Sequence, residues 1–420
     1  MKAIRIQMNA IFIRMKLAPL VFLILLFACK SSQQWEGQGP IQVVATENKE
    51  VSFQEKQVFR TPSGVHFSND FEGARLNGVE QVNDTLFRLE ILPENTPINP
   101  SPWYAFKLWS EGPKNLWLEF TYGETGFHRY YPKVSQDGIE FYLVDSLDFI
   151  SEGERPKTAM LKVKSGTDTL WVAAQDLVGT HDVEAWKDEL EKLSFVSTQV
   201  IGKSTQGRNL EVLKIGRAED KEMLMVISQQ HPPEVTGYLA MKAFVETIIE
   251  DSPEAEKFRS KYNLYLMPQM NPDGVANGHW RHNVGGVDTN RDWVNLNQPE
   301  VQALTRFMES KVEETGGQFI FAADFHSTWE DIFYTINEDL KGNRPGLIPK
   351  LIKRSSKKIP DYVPNIRPTE TNQRSVTSNS YFFFVHGAES MTFEVGDNTP
   401  RDLIRQKGES TARTLMKILK

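Results

Sequence analysis

The sequence predicts a mixed α/β domain, with a central sheet flanked by helices, that follows an antiparallel β-sandwich. Two observations favour this fold class. Between about residues 61 and 174, apolar and polar residues alternate in short runs bounded by Gly, Pro, Asn and Asp, which is typical of antiparallel strands with one face in water. From about residue 181, uninterrupted apolar runs alternate with helical patterns, as expected for strands buried on both faces and the helices that cover them.

The alternating runs come first along the chain, and several in succession indicate a β-sandwich. They are Thr85–Ile91, Tyr104–Trp109, Leu116–Phe120, Ile139–Val144 and Leu170–Ala173. Tryptophan is concentrated in the same part of the chain, up to Trp171. We interpret these indoles as core anchors of the sandwich, with a sugar-binding platform as the alternative.

The second part of the chain has a different period. Its predicted buried strands are Met223–Ile227, Leu264–Met267, Phe319–Phe325 and Ser390–Val395, and its predicted helices are Val183–Leu193, Val235–Ile249, Val301–Val312 and Leu403–Leu419. Ligands of such a sheet bind at the carboxyl ends of its strands.

The first 28 residues contain four cations and no acid, and they end in the apolar stretch Leu17–Ala28. This stretch is shorter than the roughly 20 residues of a membrane-spanning helix and fits the apolar region of a secretory signal. Leu26–Cys29 resembles the lipobox of bacterial lipoproteins, in which the signal is cut before a lipid-carrying cysteine. We therefore predict a signal peptide over 1–28, with Met1 or Met15 as its start, and a lipid anchor on Cys29. The alternative is an uncleaved anchor or a signal cut elsewhere.

Composition sets the remaining boundaries. We predict a polar tether over 29–58, the sandwich over 59–178 and the α/β domain over 179–420. Cys29 is the only cysteine, so the body has no intramolecular disulfide. The net charge is −7 and the chain lacks a basic run, which excludes nucleic acid as a partner. The predicted location is the cell envelope, on the periplasmic or outer side of a membrane.

Groups that bind metals or move protons follow the predicted buried strands. His231 and Glu234 lie three residues apart on the loop that opens a helix, and His326 ends another strand. Two histidines and a glutamate form an open zinc site with a fourth position for water. The pair His231 and Glu234 alone is weak evidence, because satisfied or surface residues at this spacing are common.

Together these motifs resemble the zinc metallocarboxypeptidases, especially the cytosolic-carboxypeptidase branch. The matching segments are Ile201–Ser204, Gly207–Arg208, Leu213–Gly216, Gln230–Glu234, Asn271–Gly274, Trp280–Arg281, Gly286–Arg291, Phe325–Ser327 and Thr392–Glu394. The resemblance covers about residues 193–420 and implies a carboxypeptidase-like α/β fold. Phe71, Trp103–Tyr104 and Phe106 are similar to the N-terminal domain of that branch.

The resemblance implies one zinc ion held by His231, Glu234 and His326. It implies that Glu394 is the general base that takes a proton from the zinc-bound water. Glu389 is a rival, but residues five apart on a strand point to opposite faces. Arg281 would polarise the scissile carbonyl and hold the oxyanion.

Further roles follow from the same resemblance. Asn290 and Arg291 would bind the terminal carboxylate of a peptide, and Asp288 would orient a ligating imidazole, that of His231. Arg208 and Tyr381 are further candidates for substrate contact. Because residues 369–384 depart from the family pattern, the preferred C-terminal residue is not predicted. His279 and His282 are interpreted as exposed or substrate-rim residues rather than metal ligands.

The predicted function is zinc-dependent removal of C-terminal residues from peptides at the cell envelope. Two alternatives remain open. One keeps the metal but makes the chain a deacylase of N-acyl amino acids or a γ-glutamyl cell-wall peptidase. The other is an inactive binding module, or a sandwich that binds glycans.

Overall fold

The computed structural model describes residues 37–420, whose strands form three sheets. The strands of the N-terminal part are β1 (Val58–Arg60), β2 (Val65–Ser68), β3 (Gly78–Gln81), β4 (Leu86–Glu90), β5 (Ala105–Ser110), β6 (Lys114–Thr121), β7 (Lys133–Ser135), β8 (Tyr142–Leu143), β9 (Phe149–Ile150), β10 (Thr158–Ser165) and β11 (Leu170–Ala173). They form one sheet of order β1-β2-β5-β11-β7-β8 and a second of order β3-β4-β6-β10-β9.

Both N-terminal sheets contribute to one hydrophobic core, as alternation predicts. Phe67 and Leu108 from the first sheet and Phe87 and Leu118 from the second are fully buried in it. Along β10, side chains alternate between buried and more exposed positions. The sheets are antiparallel with one exception, since β4 pairs with β6 in parallel. The chain makes β5 in the other sheet between these two strands, so it returns to the second sheet in its original direction.

One predicted strand is much shorter than expected. Of Ile139–Val144, only Tyr142–Leu143 pairs, at the edge of the first sheet, and both side chains are exposed. The alternation there is not matched by a buried face.

The α/β part contains β12 (Val196–Lys203), β13 (Asn209–Ile215), β14 (Glu222–Ser228), β15 (Asn263–Met267), β16 (Gln318–Thr328), β17 (Ile332–Thr335), β18 (Ile366–Pro368) and β19 (Glu389–Gly396). Its helices are α1 (Thr180–Glu191), α2 (Val235–Ile249), α3 (Pro253–Arg259), α4 (Pro272–Ala276), α5 (Pro299–Thr315), α6 (Leu347–Ser356), α7 (Ser378–His386) and α8 (Arg401–Ile418). Single turns of 3₁₀ helix cover Ser146–Asp148 and Thr289–Arg291.

These eight strands form one mixed sheet of order β12-β13-β15-β14-β16-β19-β17-β18. The central strands β15, β14, β16 and β19 are parallel, and antiparallel pairs occur on both sides of them. Each face has its own core: Leu224 and Val226 face α2 and α8, whereas Met223 and Met225 face α5. The predicted fold class is therefore confirmed.

Gly237 lets α2 contact the strand beside it. A Cβ atom at this position would lie 2.4 Å from the carbonyl oxygen of His326, so only glycine fits. The backbone N–H of Gly237 donates to Ser327 Oγ at 2.8 Å. The start of α2 is thus attached to the end of β16.

The predicted tether is wrong for residues 37–58. Gln38 N donates to Pro368 O at 2.9 Å, and Lys49 N donates to Gly285 O at 2.8 Å. Thr46 is fully buried, and its hydroxyl accepts hydrogen bonds from the side-chain amides of Asn295 and Asn297. Polar composition suggested a solvated linker, but these polar groups are satisfied by the protein itself.

The predicted signal peptide, Cys29 and the first part of the tether lie outside the described residues. Within residues 37–420, the structure has no helix that combines the length and the apolar character needed to cross a bilayer.

Candidate active site

The side chains predicted to form the site gather at the carboxyl ends of the parallel strands. His231 and Glu234 lie between β14 and α2, His326 lies near the end of β16, and Glu394 lies near the end of β19. Together with Arg281 and other residues they line a cleft of about 240 Å³. Gln229 adopts φ 50°, which turns the chain sharply after β14 and begins the loop that carries His231.

Three of these side chains converge on one point. His231 Nδ1 lies 2.8 Å from Glu234 Oε1, and His326 Nδ1 lies 2.6 Å from Glu234 Oε2. One ligand atom from each residue lies within 4.8 Å of the others, and all three residues are buried. In the described part of the chain, this is the one such group of histidine and acidic side chains.

The other nitrogen of each imidazole faces a second carboxylate. His231 Nε2 lies 2.8 Å from Asp288 Oδ1, and His326 Nε2 lies 2.7 Å from Asp324 Oδ2. The Asp324 carboxylate also accepts hydrogen bonds from Gln230 Nε2 and Ser378 Oγ. Asp288 and Asp324 accept a proton on Nε2, as Glu234 accepts one on Nδ1, so each imidazole lies between two carboxylate acceptors. With a cation at Glu234, the proton of each ring would stay on Nε2, and the lone pair of each Nδ1 would be free to bind the cation.

This donor set fits a metal ion. Two imidazole lone pairs and a carboxylate repel one another unless a cation lies between them, and the imidazole–carboxylate pairs behind them are typical of zinc sites. Burial alone would raise the pKa of Glu234, but His231 and His326 hold it well below its ordinary value. Burial would lower the pKa of His326, but Asp324 and Glu234 raise it well above its ordinary value. The site thus favours positive charge.

Glu394 lies beside this group and forms no hydrogen bond or ion pair with other side chains of residues 37–420. Its Oε2 is buried and accepts no hydrogen bond from residues 37–420. Burial raises the pKa of Glu394 to about 8. A cation at the neighbouring ligands would lower it, because opposite charge favours the ionised form. A carboxyl group with a tunable pKa and a free oxygen is suited to moving a proton.

Arg281 is fixed by one edge of its guanidinium group. Its Nε donates to Asp288 Oδ2 at 2.7 Å, and its Nη1 lies 4.0 Å from Glu234 Oε1. Burial would raise the pKa of Asp288, but Arg281 and His231 hold it well below its ordinary value. Asp288 therefore serves both the imidazole of His231 and the guanidinium of Arg281.

Asn290 and Arg291 line the cleft next to this group. Asn290 Oδ1 accepts the backbone N–H of Ser378 at 3.0 Å, which leaves its Nδ2 as the free donor. Nδ2 lies 3.4 Å from His326 Nε2, so this donor is close to the metal ligands. Arg291 borders both this cleft and a larger adjoining cavity of about 920 Å³.

Two predicted substrate contacts lie elsewhere. Arg208 does not line the cleft, because its Nη1 is bound by the buried carboxylate of Asp273 at 2.7 Å. Tyr381 is buried in the core, where its ring packs against Trp293 and its hydroxyl lies 3.3 Å from Glu309 Oε1. The tyrosine that does line the cleft is Tyr334 on β17.

The structure also bears on the predictions for His279, His282 and Glu389. His279 and His282 are buried rather than exposed, and His282 Nδ1 lies 2.7 Å from Asn95 Oδ1. Burial lowers the pKa of His282 to about 4. Glu389 Oε1 accepts the backbone N–H of Gly342, away from the cleft that Glu394 lines.

Asp324 and the N-terminal residues of the cleft were missed by sequence reasoning. The Asp-x-His spacing of Asp324 and His326 on one strand is a usable signal, because residues two apart share a face. Phe127 and Arg129 also line the cleft, and Arg129 Nε donates to Asp397 Oδ2 at 2.8 Å. No local motif marks these two.

Sequence comparisons agree with this geometry. An uncharacterized protein of Zymomonas mobilis is 25% identical over 346 residues, which cover 77% of this chain and 86% of that protein. Cytosolic carboxypeptidase 6 of Caenorhabditis elegans is 25% identical over 155 residues, which are 34% of each protein. Cytosolic carboxypeptidase 2 of Xenopus tropicalis is 32% identical over 108 residues, which are 25% of this chain and 11% of that protein.

Solved structures share the fold across both regions. A metallo-carboxypeptidase from Burkholderia cenocepacia superposes with a TM-score of 0.69 at 18% identity, over 84% of this chain and 98% of that one. One from Pseudomonas aeruginosa, in complex with (2-guanidinoethylmercapto)succinic acid, has a TM-score of 0.67 at 19% identity with the same coverage. Residues 183–414 match the family model described as zinc carboxypeptidase. This match spans more than half of the sequence, and the chain therefore belongs to the zinc carboxypeptidase family, as a metallocarboxypeptidase.

Proposed function

We propose that this enzyme removes the C-terminal residue of peptides at the cell envelope, with Glu394 activating the attacking water. The observation that supports this most strongly is that one cleft brings Glu394, Arg281 and the pair Asn290 and Arg291 beside the metal-binding triad. A proton acceptor, a fixed cation and a carboxylate-binding pair are what a hydrolase needs to cut next to a free carboxylate.

Substrate selection is assigned to Asn290 and Arg291. The free amide of Asn290 and the guanidinium of Arg291 donate to the terminal carboxylate of the peptide, and a planar guanidinium matches two carboxylate oxygens. A substrate that lacks the terminal carboxylate leaves the guanidinium of Arg291 without a counter-charge, so it should bind less well. The pair therefore favours exopeptidase over endopeptidase activity.

His231, Glu234 and His326 would hold a zinc ion, which would supply Lewis acidity at this end of the cleft. Glu394 accepts a proton from the attacking water while the oxygen of that water bonds to the carbonyl carbon of the peptide. Arg281 donates to the carbonyl oxygen as negative charge develops on it, and Asp288 keeps the guanidinium in place. The C–N bond breaks as Glu394 passes the proton to the leaving amine.

Peptide digestion with and without a chelator tests this function. We expect stepwise release of C-terminal residues, loss of release with the chelator, and recovery with added zinc. The same peptides with a C-terminal amide should not be cut, because they lack the anion. Cleavage that survives chelation, or equal cleavage of the amides, would contradict the proposal. Preference for N-acyl amino acids or γ-glutamyl peptides would favour the alternative hydrolases.

The envelope location is supported by the apolar stretch before Cys29 and by the lipobox-like residues around it. Expression of the full chain and of Cys29→Ala, followed by membrane fractionation, tests it. We expect the native chain in the membrane fraction and the variant outside it. Equal partition of both would remove the lipid anchor from the proposal.

A further inference from the structure

The loop that carries Arg281 is held by a carboxylate from the N-terminal part of the molecule. Glu94 lies between β4 and β5 and is fully buried. It accepts three consecutive backbone N–H groups: Trp280 at 2.7 Å on Oε2, and Arg281 at 3.0 Å and His282 at 2.6 Å on Oε1. Residues 280–282 belong to no helix or strand, so no regular structure satisfies these donors.

Such a concave row of N–H groups is an anion-binding arrangement. Here the anion is part of the same chain. Burial alone would raise the pKa of Glu94, but His279, Arg75, His282 and the N–H of Trp280 hold it below its ordinary value. Glu94 is therefore ionised at neutral pH, and hydrogen bonds to a charged acceptor are stronger than those to a neutral one.

The neighbouring residue extends the contact along the loop. Asn95 Oδ1 lies 2.7 Å from His282 Nδ1, and Asn95 Nδ2 donates to Gly286 O at 3.0 Å. Between these contacts and the metal ligands lies a continuous series of hydrogen bonds. Arg281 donates to Asp288, which accepts from His231 Nε2. The backbone of Arg281 is thus fixed from the N-terminal side and its guanidinium from the metal side.

We propose that Glu94 is a positioning residue for the hydrolysis, because it fixes the backbone from which Arg281 reaches the developing oxyanion. The inference rests on the proposed function, which gives Arg281 that role. It makes the N-terminal part a component of the active site. A purely structural role for Glu94 would affect folding but would not act through Arg281.

Glu94→Gln is the first test. The amide keeps the size of the side chain but turns one acceptor into a donor that faces a backbone N–H. We expect kcat to fall by roughly 10- to 100-fold with KM nearly unchanged, because a misplacement of about 1 Å can cost 100-fold and Arg281 acts in the transition state. Hydrogen exchange at residues 280–282 should become faster.

Glu72→Gln is the matched control. Glu72 is also an N-terminal carboxylate that accepts a backbone N–H from the α/β part, that of Thr180 at 2.6 Å, but its hydrogen bonds do not involve residues 280–282. We expect wild-type kcat and wild-type exchange at residues 280–282. If Glu94→Gln does not fold, Glu94→Asp keeps the charge and withdraws it by one methylene. It should lower kcat with the fold intact.

A double-variant cycle with Arg281→Ala decides between positioning and structural roles. If Glu94 acts through Arg281, adding Glu94→Gln to Arg281→Ala leaves kcat/KM unchanged. Losses that multiply, or wild-type kcat in both Glu94 variants, would overturn the inference. If the wild-type protein cuts no peptide, the proposed function fails by itself. Hydrogen exchange still decides whether Glu94 holds the loop, and unchanged exchange would refute it.

Discussion

The α/β part and the N-terminal part contribute buried polar groups to the cleft and to the loops around it in different ways. The α/β part places His231, Glu234, His326 and Glu394 at strand ends, where short sequence spacings mark them. The N-terminal part contributes Arg129 to the cleft and Glu94 to the loop that carries Arg281, and no motif marks either residue. The difference indicates that reacting groups can be recognised from local sequence, whereas the groups that hold them are found only after folding.

The comparison predicts that the largest effect on activity comes from the α/β part. Replacement of Glu394 by glutamine removes the proton acceptor but keeps the size of the side chain. We expect hydrolysis to fall by about 10⁴-fold. Zinc content, measured by elemental analysis, and the unfolding midpoint should stay at wild-type values. Activity within tenfold of wild type would show that a residue other than Glu394 is the general base.

The second prediction concerns the contact between the N-terminal part and the α/β part, where a residue of the N-terminal part should contribute strongly to stability. Arg129 and Asp397 form a buried ion pair across this contact, with side chains 7% and 2% exposed. Arg129→Met leaves Asp397 without its cation, so we expect the free energy of unfolding to fall by about 3–5 kcal/mol. Denaturant unfolding measures this. Arg88→Met is the control, because the ion pairs of Arg88 are exposed to water, and it should leave the midpoint nearly unchanged. Equal effects of both variants would contradict the prediction.

Glu300, a buried carboxyl that forms no ion pair within residues 37–420, should make the stability depend on pH. Burial raises the pKa of Glu300 to about 7, from an ordinary value of 4.5. Between these values the folded protein keeps a proton that the unfolded chain releases. Stability therefore falls as pH rises through this window, by at most about 3 kcal/mol.

Glu300→Gln tests this dependence. Between pH 5 and pH 8, the variant should lose less stability than the wild-type protein, because the contribution of Glu300 is absent. Urea unfolding at both pH values measures the difference. Glu313→Gln, on an exposed position of the same helix, should behave like wild type. A wild-type profile for Glu300→Gln would show that Glu300 is ionised in the folded protein.

The smallest expected effect concerns support within the α/β part itself. Asp324→Asn weakens the acceptor for His326 Nε2, and we expect metal affinity to fall by roughly 10- to 100-fold. Competition with a chelator of known affinity measures it. Asp288→Asn should give a loss of similar size, and Glu389→Gln, a carboxyl that faces away from the cleft, should give none. Unchanged metal affinity in Asp324→Asn would show that this carboxylate does not support metal binding.

Much of the α/β part could be predicted because its patterns are local. The bounds of α2 agree with the predicted helix Val235–Ile249, and alternation along β19 separates Glu394 from Glu389. Contacts between distant residues could not be predicted. Glu94 meets Arg281 across 187 positions of sequence, and no short spacing records such a pairing. Arg208 and Tyr381 were misplaced for the same reason, since Asp273 and Trp293 decide where they lie.

The glycine contact between α2 and β16 determines more than packing. Glu234 precedes α2 and His326 lies on β16, so the close main-chain contact at Gly237 helps to set the separation of these two ligands. A methyl group introduced there would push the helix from the strand and move Glu234 away from His326 without altering either side chain. The geometry that suits a small ion such as zinc is therefore encoded in part by a residue that has no side chain.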